Sequence, residues 1–200
     1  SQIGRESLRD ALLEMHARGE RLVALHGEPG VGKSSVLIEH GLQLQDRIEL
    51  HRPIYANLQN IADAHSVEQV VGLAVGGPDF TVSEDQPVHR LIADRRILLL
   101  LDNIDQCRDA VADAVVSWLR LCPSLRVMCT SRVPLSCEES LACRVPRLGR
   151  LGAIELLVRH ALRADPDIDL ATLDPESLVA VVERLDGIPL AIELAGARLS

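Results

Sequence analysis

Two hundred residues, 47% of them apolar, are enough to bury the core of one domain, or of one domain with a small appendage. A formal charge of −8 and an aromatic content of 2% supply neither a basic face to track a phosphate backbone nor rings on which bases stack, so no direct nucleic-acid binding by this segment is expected. The five cysteines (Cys107, Cys122, Cys129, Cys137, Cys143) are odd in number and lack CxxC or other zinc spacing, so most read as buried thiols of a reducing cytosol. No apolar run approaches the roughly 18 residues of a membrane span, and no secretory h-region opens the chain, which points to the cytoplasm and to no membrane partner. The abrupt start at Ser1, and a stop inside the helical pattern Ala191 to Ser200 without a closing Gly or Pro, read as a fragment of something larger.

In chain order, Leu8, Ala11, Leu12 and Met15 recur at three- and four-residue spacing and predict an amphipathic helix over Glu6 to Arg18, ending near Gly19. Leu22 to Leu25 is a short apolar run entering a Gly/Pro cluster, as a buried parallel strand does before a turn. A helix is predicted from Lys33 to about Gln45, a strand from Pro53 to Leu58, and a helix from Ser66 to Val75 whose Val67, Val70, Val71 and Ala74 share a face. Ile97 to Leu101, between Arg95-Arg96 and Asp102-Asn103, predicts a strand buried on both faces. Then come a helix over Arg108 to Leu121, with Val111, Val115 and Trp118 inward, and a strand over Leu125 to Thr130. This alternation implies a doubly wound α/β sheet. Beyond Leu148 the pattern is helical only. Leu151, Ile154, Leu157, Val158 and Ala161 form one stripe, a polar linker covers Arg163 to Asp169, and Asp174-Pro175 cap a helix carrying Leu178, Val181, Val182 and Leu185. The expected organisation is a nucleotide-binding domain over 1–148 and the start of a helical subdomain over 149–200.

Gly27 to Ser34 reads GEPGVGKS, a complete GxxxxGKS/T string between a predicted strand and a predicted helix. Phosphate oxygens need several inward-pointing backbone N–H groups, which glycines permit by close approach and positive φ, and the next helix N-terminus adds positive potential. Gly27, Gly30, Val31, Gly32, Lys33, Ser34 and Ser35 are the candidate cradle. Lys33 supplies a cation for the β- and γ-phosphates, and Ser34 a hydroxyl for Mg²⁺. Asp102 ends the apolar run at the strand edge where open α/β sheets bind ligands, and can hold the Mg²⁺ shell. Asp105 either orients or deprotonates a water or simply opens the next helix. Arg132, after Thr130 and Ser131, reaches the same edge, where it either senses a γ-phosphate or is solvated. His26, just before the cradle, either touches a phosphate or, the reading preferred, is a packed histidine.

GEPGVGKSS, LLLLDNIDQC, RVMCTSRVPL, RLGRLGAIELLVRHA and LDGIPLAIELAGARL, in that order, resemble the STAND class of signal-transduction ATPases. Within it the match is to NB-ARC-like modules of large bacterial transcriptional regulators of the LuxR and SARP types, over nearly the whole chain. The resemblance implies a P-loop NTPase sheet followed by a helical subdomain, ATP or ADP with Mg²⁺ as cofactors, and sensor and effector domains flanking the segment. It further implies an ADP-closed, ATP-open switch that oligomerises with ATP. By position it gives Lys33 and Ser34 the phosphate and Mg²⁺ roles, Asp102 the Mg²⁺ shell, and Arg132 the sensor role. Ile3 and Arg5, in the opening IGRE, would help hold adenine, and Pro189 would pack against it. Some branches of the class carry two adjacent acids on the strand; here Asn103 follows Asp102, which leaves Asp105 as the catalytic acid and implies weak or slow hydrolysis. Two other readings are a dedicated P-loop ATPase or kinase, in which turnover is the output, and a scaffold that binds no nucleotide. The intact GKS loop and Asp102 speak against the scaffold.

Overall fold

The computed structural model describes residues 3–47, 53–83, 87–168 and 174–198. Asp169, the end of the linker read from the sequence, and Leu199 and Ser200 of the terminal helical pattern lie outside them. The chain forms two compact units, one of Asp10–Gly27 and Lys33–Arg144, the other of Ser1–Arg9, Glu28–Gly32 and Val145–Ser200.

The first unit holds a five-stranded parallel sheet: β1 (Leu22–His26), β2 (Ile54–Asn57), β3 (Leu98–Asp102), β4 (Arg126–Ser131) and β5 (Leu141–Arg144), in the order β2-β3-β4-β1-β5. The central strands are continuous apolar runs because both faces are covered. All five residues of β3 are buried, whereas β2 and β5, at the edges, each bury one residue fully. Leu22, Ala24, Leu99, Leu101, Val127 and Cys129 pack in one core with Val67 and Val71 of α3 (Ala64–Gly76) and Val111, Val115 and Trp118 of α5 (Arg108–Leu121). On the opposite face lies α2 (Lys33–Arg47), approaching so closely at Gly41 that a Cβ there would meet Leu100 Cδ1 at 2.7 Å. Parity therefore places Leu100, Asp102, Met128 and Thr130 on the α2 face.

The predicted helices and strands recur within a few residues of their expected ends. Helix α3 begins two residues earlier than read, because Asp63 caps it by accepting from the Ser66 amide (2.9 Å) and hydroxyl (2.7 Å). Two short elements were not anticipated. Helix α4 (Val88–Ile92) is a single turn with only Val88 and Ile92 buried, and β5 is four residues with an apolar stretch of only three, Leu141 to Cys143, defined by its pairing with β1. A 3₁₀ turn over Ile104–Gln106 precedes α5.

In the second unit, α6 (Arg150–Ala164), α7 (Pro175–Arg184) and α8 (Pro189–Gly196) close around Leu148, Ala153, Leu157, Val182 and Ile192. Asp174 caps α7 through the Ser177 amide at 2.9 Å, with Pro175 in the first turn. The turn into α8 requires glycine. Gly187 has φ +65°, and a Cβ would sit 2.4 Å from the Leu148 carbonyl oxygen, whose own amide donates to Gly187 at 2.8 Å.

Helix α1 (Glu6–Ala17) carries His16 into the sheet unit, where it is 2% exposed and stacks on His40 of α2 with ring centroids 5.4 Å apart. Arg126 Nη1 donates to the His16 and Glu20 carbonyls at 3.2 Å each. Burial first, and the Arg126 charge second, push the His16 imidazole down to about 4 from an ordinary 6.5. The folded chain thus keeps His16 neutral where the unfolded chain protonates it. The contribution to stability is present above pH 6.5 and is lost as pH falls toward 4. It amounts to as much as about 3 kcal/mol. Replacing His16 with Gln is expected to flatten the acid limb in that window, measured by urea unfolding at a series of pH values.

Candidate functional site

Strands β1, β3 and β4 end at one edge of the sheet, because His26 pairs with Ser131 and Leu101 with Cys129 in parallel register. Chemistry-bearing residues follow each end. After β1 the chain reaches Gly27, and α2 starts at Lys33 with no acidic residue in its first turn to cancel its positive end. Lys33 Nζ donates to the Gly27 carbonyl at 2.8 Å. Burial lowers its pKa from the ordinary lysine value; Asp105 and Asp102 oppose that shift and Arg132 adds to it. These groups therefore share one electrostatic neighbourhood. Ser35, in the same first turn, is exposed.

Asp102 is the centre of the arrangement. It is 2% exposed, yet its carboxylate takes hydroxyl donors from three elements. Oδ1 accepts from Ser34 of α2 at 2.9 Å and from Thr130 of β4, while Oδ2 accepts from Tyr55 of β2 at 2.8 Å. Thr130 Oγ1 in turn accepts the Asn103 amide at 2.9 Å. Asn103 adopts the left-handed conformation, φ 60° and ψ 51°, and its side-chain amide donates to Asn57 Oδ1 at 3.1 Å. That residue type tolerates the conformation at least cost after glycine. Burial, and then the bond to Asp102, push the Tyr55 phenol up to about 12.

Asp105, half-buried, accepts the Arg132 amide at 2.7 Å on Oδ1, and the exposed Arg132 guanidinium lies with Nε 3.8 Å from Oδ2. An ion pair of that exposure contributes little to stability. The amide bond is what anchors the segment after β4 to the turn after β3.

The middle of the glycine loop belongs to the helical unit. Gly30 has φ +75°, and a Cβ there would lie 3.2 Å from both Ile188 Cγ2 and Leu190 Cβ; its carbonyl accepts the Leu190 amide at 3.2 Å. Arg5, 5% exposed, donates to the Val31 carbonyl and, at 3.5 Å, to that of Pro146, with its guanidinium against Gly32. Burial lowers its pKa. Arg147 binds Glu28 Oε2 at 2.5 Å and also pairs with Asp186. Ile3 is buried beside Gly152, and Pro189 is buried in the first turn of α8.

Two functional candidates escaped the sequence reading. Tyr55 and the bridging role of Thr130 depend on β2 and β4 flanking β3, a strand order that no local pattern encodes. Period-two parity within β2 was the available signal for which side chains share a face. Fitness for a divalent cation follows from the donor set. With its proton directed to Asp102, the Ser34 oxygen has lone pairs for a hard cation, beside a buried carboxylate. Among the described residues no group of three or more His, Cys, Asp or Glu could hold a metal unaided. A cation here would depend on phosphate oxygens, as Mg²⁺ in nucleotide sites commonly does.

No family model matches the chain. A candidate HTH-type transcriptional regulator of Mycobacterium tuberculosis is 36% identical over 182 residues, spanning 90% of this chain and 20% of that protein. An uncharacterized protein of the same species is 35% identical over 181 residues, spanning 90% of this chain and 46% of that protein. The chain thus spans less than half the length of these curated relatives. Among solved structures, Cdc6p from Pyrobaculum aerophilum superposes with TM-score 0.66 at 16% identity, over 98% of this chain and 60% of that one. A Walker-type ATPase of Pyrococcus abyssi gives 0.65 at 17%, over 98% and 67%. The STAND protein with a tetratricopeptide repeat sensor from Pyrococcus horikoshii gives 0.59 at 17%, over 92% and 28%. At these identities the likeness is one of fold, and that fold is the P-loop NTPase α/β sheet.

Proposed function

We propose that this chain is the ATP/ADP- and Mg²⁺-binding switch module of a multidomain regulator. The observation that carries the reading is the Lys33–Ser34–Asp102 constellation, with a lysine and a serine at the start of α2 and a buried carboxylate bound to that serine at 2.9 Å. In it the loop amides and the α2 N-terminus cradle the phosphates, Lys33 exchanges its bond to Gly27 for phosphate oxygens, and Ser34 and Asp102 hold Mg²⁺, which supplies charge neutralisation when bound. Likeness to structures such as AMPPCP-bound DnaA from Aquifex aeolicus is consistent with a nucleotide in this fold. The regulator context draws on the mycobacterial relative.

Slow hydrolysis is part of the proposal. Asp105, the candidate acid, has both oxygens turned to Arg132, Oδ1 accepting its amide at 2.7 Å and Oδ2 lying 3.8 Å from its Nε, so a water it activates has to compete with that residue. Steady-state turnover well above about 1 s⁻¹ would favour a dedicated enzyme over a switch. Arg132 is assigned to sense the γ-phosphate, with ADP holding a closed state and ATP an open, oligomerising one. Pro189 is assigned to pack on adenine, with Ile3 and Arg5 supporting that end. Because Gly30 and Leu190 are bonded within the helical unit, loop occupancy bears directly on the turn into α8.

Lys33→Ala is expected to abolish triphosphate binding in a calorimetric titration without lowering the melting temperature, since the ammonium serves phosphate space rather than the core. Unchanged affinity would sink the reading. Asp102→Asn should weaken binding in Mg²⁺ more than in EDTA; equal losses would make Asp102 purely structural. Hydrogen exchange tests the switch. ADP should slow exchange of the amides from Gly187 to Ala195 as well as those of the loop, and protection confined to the sheet unit would refute the role given to Pro189.

A further inference from the structure

We propose that Tyr55 is a positioning residue for Asp102, holding the carboxylate in the orientation in which it meets the Mg²⁺ shell of the bound nucleotide. This rests on the nucleotide-binding reading above and adds to it a residue outside the glycine loop, the acidic strand end and the arginine segment.

The case begins with the softness of the side chain. The last torsion of an aspartate is broad and roughly two-fold, so a carboxylate held on one oxygen still swings. Oδ1 of Asp102 is held by Ser34 and Thr130, and among the described residues the donor to Oδ2 is Tyr55, at 2.8 Å. Ser34 is itself a metal-ligand candidate, so its contact is the one that changes when a cation binds. Tyr55 keeps its bond in that exchange and feels the cation through the charge of the Asp102 carboxylate to which it donates. Its backbone pairs with Leu100, two residues before Asp102 on the same face of β3, so register brings the phenol to the carboxylate.

The alternative is that Tyr55 is an ordinary strand residue chosen for sheet propensity. Two features oppose it. Tyr55 is 41% exposed on an edge strand, so it adds little to the core, while its hydroxyl is directed to one of the few buried charges of the sheet unit. Outer partners that orient a metal's ligands typically set metal affinity by 10- to 100-fold, and the hydroxyl occupies that position.

Phe in place of Tyr55 removes the hydroxyl and keeps the exposed ring. With a fluorescent ATP analogue as probe, the Mg²⁺ concentration for half-maximal binding should rise roughly 10- to 100-fold in the variant, while affinity in EDTA stays that of the wild type. An unchanged Mg²⁺ requirement overturns the proposal, and so does an equal loss with and without Mg²⁺, which would mark a merely structural role. A wild-type chain that binds the probe in neither condition overturns the nucleotide reading as well, a result distinct from a failure of the Tyr55 assignment alone. The second measurement needs no variant. Tyr55 is the chain's only tyrosine, so adding Mg²⁺ to the wild-type nucleotide complex should perturb the tyrosine ultraviolet difference spectrum, and a silent spectrum overturns the proposal.

Discussion

A carboxylate buried inside a sheet is the constraint from which the rest of this site follows. An ionised group removed from water without partners costs several kcal/mol, and Asp102 avoids that cost only while hydroxyls from three separate elements converge on it. Each such bond to a charged group contributes about 1.5–3 kcal/mol. Convergence demands that β2 and β4 lie on either side of β3 in the observed register, and that α2 begin where Ser34 can reach. The left-handed Asn103 is part of the same requirement, because its amide must turn back to Thr130 as the chain leaves the strand. Fold and site are here one set of bonds.

The middle of the loop, Glu28–Gly32, is held within the helical unit to which it belongs. Arg5, with its guanidinium on the Val31 carbonyl, and Leu190, with its amide on Gly30, fix the middle of a segment whose glycines would otherwise leave it slack. At Gly30 an added Cβ would press on Ile188 and Leu190 at 3.2 Å, so that they would have to give by a few tenths of an ångström, and φ +75° disfavours any side chain there. The GIPL turn is legible in the same terms. Gly187 clears the Leu148 carbonyl, Pro189 starts α8, and Leu190 reaches the loop, so the motif's small vocabulary reflects three steric demands in succession.

Much of this was legible in the sequence. The continuous run of β3 announced a strand covered on both faces, and the GKS string pointed to the loop that the structure sets between β1 and α2, because both signals are local. What the sequence withheld was non-local. Tyr55 reads as one more strand residue until β2 is known to neighbour β3, and the apolar stretch of β5, Leu141-Ala142-Cys143, is too short to be read as a strand without its bonds to β1. Arg5, placed in a short motif before the first helix, gave no sign that its guanidinium would be buried against the glycine loop 26 residues on. Short elements such as α4, with two buried residues in one turn, fall below what periodicity can resolve.

Strand β1 sits between β4 and β5, and both partners lie far along the chain, Leu22 pairing with Val127 and Val23 with Leu141. During synthesis, then, the strand that leads into the glycine loop emerges about a hundred residues before anything can pair with it. At ribosomal rates of about 5–20 residues per second that interval is on the order of 5–20 s. Its Leu-Val-Ala-Leu run is apolar and, until β4 arrives, has no neighbour on either side. The glycine loop therefore takes shape late, after β3 and the helices that cover it are available as a template. A nascent chain paused before Arg126 would present an unpaired apolar strand of the kind that chaperones bind and that aggregates propagate.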